Sequence, residues 1–508
     1  MPSLSLTSHT LLIFYLTYFT YAALHASRSA YSYGKHAMEH DPLYPEGKID
    51  DYFLGTVDMI FMLFYGLGLF VAGYIGDKFS LKKMLLVGGS VATFFLFLIF
   101  LIRVSNSSNT DSIIAFMCFS GLFQSVGYPA CVTILGNWVD KKKKGRIFGL
   151  WSSCHNIGNI IGTLFGMFAV DSSDIGWQYS ILFACLFMML NLTLVGFFVI
   201  SNPILAGFED PNKSIHNEEI KKEIETVEDV VAEDGKIETP SDQQEINLEL
   251  QEIAKKEKGE KENAIQSKKG LNLPLNSLPK PKSLNPFKVC MIPGVLFYAI
   301  LNVCIKILVV SLLLWLPIYL KDQKLEHHAA NIAFLFEIGQ ILGSFALGYF
   351  CDKINKRAAL IMPVLLVNVI VFIIIANLRN KEDLVFYYFC LFLVGIFLGG
   401  PANLIAAMIS QDISHNKQIK QQNKKIGSTL VGIIDGSGYI GVGIMQKLVP
   451  YFRGEFFLVM ILFLCFSSIW ISPKAFHEIV GPIQILNKDE KRDGKEEKKK
   501  IAVNNNQL

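Results

Sequence analysis

The chain has 508 residues; 51% are hydrophobic and 18% charged, with a formal net charge of +3 and a mean hydropathy of +0.38. A soluble domain carries about 25% charged residues, and a dozen bilayer-crossing helices of about 20 residues would use about half of this chain. These figures exclude an ordinary soluble enzyme, a disordered protein and a nucleic-acid binder, and point to a polytopic protein partnered by a lipid bilayer.

In chain order, apolar runs fall at about 9–27, 53–76, 83–103, 112–136, 146–169 and 178–201. The first reads as a span rather than a signal peptide, because no Lys or Arg precedes it. A second set follows at about 291–320, 328–351, 358–378, 384–411, 426–449 and 455–474. The expected fold is an all-α membrane protein with twelve transmembrane helices in two six-helix bundles, 1–203 and 289–475. Between them, 204–288 is expected to be a solvated linker. Its stretch 209–286 is crowded with Glu and Lys and holds no Phe, Trp or Tyr, so it cannot bury enough apolar surface to fold alone. The charged tail 476–508 is similar. The nine cysteines form no CxxC pair, so no metal site is expected.

Lys and Arg in short loops set orientation. Fifteen fall on one side, among them Lys78, Lys82, Lys83, Lys141–Lys144, Arg146, Lys353, Lys356 and Arg357, against about nine opposite. The richer side is expected to face the cytosol, with both termini.

The second half echoes the first. Gly73-Tyr-Ile-Gly-Asp77-Lys78 recurs 275 residues later as Gly348-Tyr-Phe-Cys-Asp352-Lys353. Near the same offset the intramembrane ionisable residues pair as well: Arg28 with Lys306, Asp58 with Glu337, and His155 with Asp435. Such residues are costly in a bilayer and are functional candidates. Repeats related by an axis along the membrane normal place a polar site near the midplane, formed jointly by both halves. Glycines crowd the same helices, as in Gly158-Asn-Ile-Ile-Gly162-Thr-Leu-Phe-Gly166, and are expected either to pack statically or to line a sliding interface between the halves.

The repeated Asp-Lys loops resemble the signature of the major facilitator superfamily. More narrowly, HASRSAYSYGKH, LGTVDMIFMLFYGLGLF, GNWVDKKKKGRIFGLWSSCHNIGNIIG, KILVVSLLLWLPIYL, LFEIGQILGSFALGYFCD and IIDGSGYIG resemble the organophosphate:phosphate antiporters, and within them the eukaryotic sugar phosphate exchangers. The resemblance implies exchange of a sugar phosphate for inorganic phosphate, with no enzymatic step and no cofactor, most often in the endoplasmic reticulum. It implies that Arg28 grips the phosphate and that Lys306 supplies a second cation. It further implies that His155, in a Trp-x-x-x-His setting with Trp151, lies at the site with Tyr65 and Tyr21. Ser29 stands where the family often has lysine, a departure that removes a third positive charge from that position.

The chemistry fits these residue types. A phosphate monoester carries about −1.5 to −2 charge; Arg offers it a planar fork and Lys a compact ammonium. Competing readings stay open at this stage: a snorkelling Arg28, a neutral His155 bonded within its bundle, and tyrosines that only pack. Asp58 and Glu337 are expected to neutralise the cations, tie helices or bind sugar hydroxyls; with them Asp435 is expected to be a coupling or helix-interface charge. Asp77, Lys78, Asp352 and Lys353 are expected to serve gating or loop structure. Two rival functions remain: a proton-coupled symporter of an organic anion or sugar, and a non-transporting receptor or scaffold.

Overall fold

The computed structural model describes residues 5–208, 282–410 and 424–479, a few loop positions apart. Most of the expected linker and nearly all of the expected tail lie outside the described residues. Apart from two strands of two residues each, Lys282–Ser283 and Lys424–Lys425, the elements are helices.

The first half contains α1 (Leu6–Glu39), α2 (Asp51–Lys78), α3 (Leu81–Val104), α4 (Thr110–Gln124), α5 (Gly127–Trp138), α6 (Lys144–Trp151), α7 (Cys154–Met167) and α8 (Trp177–Phe198). After a short α9 (Pro286–Cys290) come α10 (Val295–Asp322), α11 (Ala329–Ile354), α12 (Arg357–Asn377), α13 (Leu384–Leu404), α14 (Gly427–Leu448) and α15 (Phe456–Ile479). With α4–α5 and α6–α7 each read as one broken span, the described helices supply six spans per half. Side-chain caps start several of them: Ser5 accepts from the Ser8 amide and Asp50 from the Phe53 amide at 2.7 Å.

Among the described residues, ten helices are long and apolar enough to cross a membrane. The first and fifth spans are not among them, and the reason is chemical. α1 carries Thr17, Thr20, His25, Ser27 and Arg28 on its buried side, which dilutes its hydropathy. The fifth span carries Ser152, Ser153, His155, Asn156 and Asn159, which dilute its hydropathy in the same way, and it breaks at the two serines, whose hydroxyls bond back to the carbonyls of Phe148 and Leu150. Such back-bonding competes with the helical ladder. The outer faces of the other helices stay apolar, with Phe197, Ile370, Leu462 and Ile469 exposed; these are the lipid-facing residues of a bundle.

α1 differs from the expected run. It continues three turns beyond residue 27 to Glu39, so Arg28 lies inside a 34-residue helix rather than near the end of a span. At 1.5 Å per residue such a helix is about 50 Å long, well beyond the hydrocarbon thickness.

The halves meet along two helix pairs, α2 with α14 and α6–α7 with α11. Glycine sets the approach. A Cβ on Gly73 would sit 2.7 Å from the Ser428 carbonyl oxygen, and one on Gly149 would sit 2.5 Å from that of Ser344. The doubled glycine motif of the fifth span behaves differently: Gly158 and Gly162 pack on Ala22 and Ala26 of α1, inside their own half. For these two glycines the static-packing reading holds, while at the half–half interface Gly66 and Gly73 face Gly436 and Gly432, and Gly145, like Gly149, packs on the other half, against Gly348.

Candidate functional site

The geometry shared by the two repeats is clearest where the halves lock. Asp77, at the end of α2, accepts hydrogen bonds from the backbone amides of Ser428 and Thr429, both at 2.9 Å, and from the Thr429 hydroxyl at 2.5 Å. Asp352, at the end of α11, accepts from the amides of Gly145 at 2.6 Å and Arg146 at 2.8 Å, and from the Arg146 guanidinium at 3.3 Å. Each carboxylate thus caps the first turn of a helix belonging to the other half, where unpaired amides and the helix dipole favour an anion. The adjacent lysines do not join: Lys78 lies over the Tyr74 ring at 4.0 Å, and Lys353 is exposed.

Deeper along the same helices lies a cluster of cations and aromatic rings. Arg28, on α1, has its guanidinium carbon 4.1 Å from the Tyr65 ring centroid and 5.2 Å from that of Phe61. Its Nε donates to Gln124 Oε1 at 2.9 Å, and its buried Nη2 has no hydrogen-bond partner among the described residues. Tyr65, on α2, meets Tyr439 of α14 edge-on at 4.7 Å. The Lys306 ammonium, on α10, lies 4.8 Å from the Tyr439 ring. The series Arg28, Tyr65, Tyr439 and Lys306 therefore crosses from one half to the other. Ring faces attract cations and lower the cost of desolvating them.

Tyr21 joins this cluster. Its hydroxyl is 3.5 Å from that of Tyr65, and its ring stacks on Trp151 at 5.6 Å. His155 enters from the start of α7, with its ring 5.5 Å from that of His25. Arg28, Tyr21, Tyr65 and His155 are thus grouped in the first half, with Lys306 approaching from the second.

The three carboxylates have separate partners. Asp435, fully buried on α14, pairs with Lys306 at 3.1 Å. Asp58 pairs with Lys35 of α1. Glu337 accepts from the side-chain amides of Asn156, of Asn159 at 3.4 Å and of Gln340 at 3.4 Å, and makes no ion pair among the described residues. The carboxylate that neutralises a site cation is therefore Asp435, rather than Asp58 or Glu337.

Ser29 hydrogen-bonds Thr163 of α7 at 3.0 Å. Its side chain serves helix packing at the α1–α7 seam. The additional cation of α1 is instead Lys35, seven residues after Arg28.

Sequence reasoning missed Lys35, His25, Phe61, Gln124 and Tyr439. Lys35 lies beyond the apolar run, and the signal available was its heptad spacing from Arg28. His25 donates from Nδ1 to Asn159 Oδ1 at 3.3 Å, which links it to the Glu337 amides. Phe61, Gln124 and Tyr439 are ordinary core residue types, and nothing in one sequence separates them from packing.

Two helical halves, each donating one cation to an aromatic-lined centre and locked at one end by reciprocal carboxylate caps, define a two-domain carrier. The chain belongs to the Major Facilitator Superfamily, whose family model matches residues 4–446, and it is a transporter rather than an enzyme. It is 28% identical to sugar phosphate exchanger 3 of Xenopus laevis over 93% of each chain, and 28% identical to sugar phosphate exchanger 3 of Homo sapiens over 93% of this chain and 94% of that one. It is 27% identical to putative glycerol-3-phosphate transporter 5 of Arabidopsis thaliana, over 94% of this chain and 93% of that one.

Proposed function

We propose that this transporter exchanges a sugar phosphate, such as glucose 6-phosphate or glycerol 3-phosphate, for inorganic phosphate by alternating access. The observation that carries this reading is the series Arg28, Tyr65, Tyr439 and Lys306 across the two halves. The names of the relatives agree with it. Arg28 binds the phosphate through its open guanidinium edge, Lys306 closes on the anion from the other half in competition with Asp435, and Tyr21, Tyr65 and His155 line the site. An empty site that closed would trap the Arg28 charge with no carboxylate partner among the described residues, at high desolvation cost. A bound phosphate removes that cost, so the loaded carrier crosses and the empty one does not. Asp77 and Asp352 hold the halves together at the lysine-rich end and must release their helices for that end to open.

In this account residues 1–203 and 289–475 are the two halves, and 204–288 is a linker on the same side as both termini and the tail 476–508. The lysine-rich loops assign that side to the cytosol. We assign the endoplasmic reticulum as the membrane on the family resemblance.

One observation favours a second reading. Glu337 is held by amides alone at the half–half contact, an arrangement that accommodates a protonated carboxyl as well as a carboxylate. A proton-coupled symporter would use such a group. The discriminating experiment loads proteoliposomes with labelled phosphate and adds glucose 6-phosphate, glycerol 3-phosphate or nothing outside. Efflux that requires an external phosphate compound supports exchange; efflux set by a pH gradient alone supports the symporter.

A further inference from the structure

Arg28 and Tyr65 each have a counterpart two turns along the same helix, away from the lysine-rich end. On α1 it is Lys35, seven residues after Arg28; on α2 it is Asp58, seven residues before Tyr65. Seven residues is close to two helical turns, so each counterpart lies on the same face, about 10 Å further out. Lys35 and Asp58 form an ion pair, and their side chains retain 17% and 22% of their exposure. Between the layers stands Tyr31, three residues after Arg28 and four before Lys35. Its ring lies 5.5 Å from the Lys35 ammonium, and its hydroxyl is buried with no hydrogen-bond partner among the described residues. An unsatisfied buried hydroxyl costs free energy, which a passing acceptor would relieve.

We propose that Lys35, Asp58 and Tyr31 form a waiting site for the phosphate group, outside the central site on the path from the end opposite the lysine-rich loops. The Asp58 carboxylate occupies the anion's place on Lys35 when no ligand is present. An incoming phosphate carries about −1.5 to −2 charge against the single charge of a carboxylate, so it displaces Asp58 from the ammonium. The Tyr31 hydroxyl then donates to a phosphate oxygen as the group moves inward to Arg28. Lys, as a movable point charge, suits capture and release; Arg, with its fork, suits the central grip. Asp58 also prevents Lys35 from retaining the anion, because it competes for the same ammonium once the phosphate has moved on.

This inference rests on the phosphate-carrier reading, and its test separates the two. The purified full-length protein is treated with an amine-acylating reagent, with inorganic phosphate or with chloride at matched ionic strength, and acylation of Lys35 is read by peptide mass spectrometry. Phosphate is expected to protect Lys35 in the wild type and equally in Arg28→Ala, which lacks the central grip. In Asp58→Asn, half-protection is expected at a phosphate concentration several-fold lower. In sided proteoliposomes, Lys35→Gln is expected to raise KM about tenfold from the α1 Glu39 end, the loss of one cation contact worth about 1.4 kcal/mol, with kcat largely retained. Protection that vanishes in Arg28→Ala would overturn the proposal, since Lys35 would then only report occupancy of the central site. A fall in kcat with KM unchanged would also overturn it and make the pair a structural tie between α1 and α2. Lys35 protection in a protein that shows no phosphate exchange would uphold the waiting site and refute the exchange reading.

Discussion

Replacing Lys306 by methionine leaves the Asp435 carboxylate, fully buried on α14, without the ammonium 3.1 Å away. At that separation and an effective dielectric of about 20 the pair attracts by about 5 kcal/mol. Much of that offsets the desolvation of both ions, so the intact pair contributes little net stability. Removing one partner exposes the unpaired cost, about 3–5 kcal/mol, whereas removing both with residues of similar volume is close to neutral. Lys306→Met is therefore expected to melt well below the wild type in detergent, and Lys306→Met/Asp435→Leu to recover most of the loss. Neither variant should transport, because the second-half cation is gone in both. Melting is followed by the fluorescence of the native tryptophans, and transport by phosphate flux in proteoliposomes. If Lys306→Met melts with the wild type, Asp435 does not depend on Lys306 and the assignment of that carboxylate is wrong.

Further predictions concern the lock and the outer end. Asp77→Asn and Asp352→Asn each replace charge-assisted bonds to a helix N-terminus by neutral ones, a loss of about 1–3 kcal/mol. Each should raise the accessibility of cysteines introduced along α2 from the lysine-rich side; unchanged labelling would refute the lock. Gly73→Val places its Cβ 2.7 Å from the Ser428 carbonyl oxygen, so it should also push the halves apart at that end and cut the exchange rate without lowering protein yield, as read by flux per milligram. At the other end, Asp41 is outside the spans. Burial raises its pKa, but bonds from the Leu43 amide, the Trp177 indole at 2.7 Å and Arg103 at 2.5 Å outweigh this and hold it below the usual carboxylate value. A carboxylate depressed on folding adds stability that is complete above its unfolded pKa of about 3.9 and is lost as pH falls through its lower folded value. The wild type should therefore lose an increment of melting temperature below about pH 4 that Asp41→Asn, already lacking it, does not; parallel acid profiles would refute this.

How much of this was legible in the sequence depends on what each residue reports. The spans were legible because hydropathy reads directly as burial in lipid. The pairing of Arg28 with Lys306 was legible because internal repetition makes one half predict the other. Which carboxylate meets which cation was not, because Asp435 and Lys306 lie on separate helices and only their packing decides the partner. Lys35 was hidden because α1 turns polar after Arg28 while remaining helical, and an apolar run cannot mark such an end. The Asp-Lys loops read as gating or loop structure, but sequence alone could not show that the aspartates cap helices of the opposite half. The glycines of the fifth span left a similar choice open: spacing shows that a close approach exists and does not show which helix approaches.

The central claim is that Arg28 grips a phosphate that must be present for the carrier to cross. The most direct measurement is uptake of labelled phosphate into proteoliposomes preloaded with phosphate, with glucose 6-phosphate or with neither, for the wild type and Arg28→Ala. The account predicts uptake by the wild type only into vesicles holding a phosphate compound, and none by Arg28→Ala under any preload. Uptake that ignores the preload, or that survives in Arg28→Ala, would contradict it.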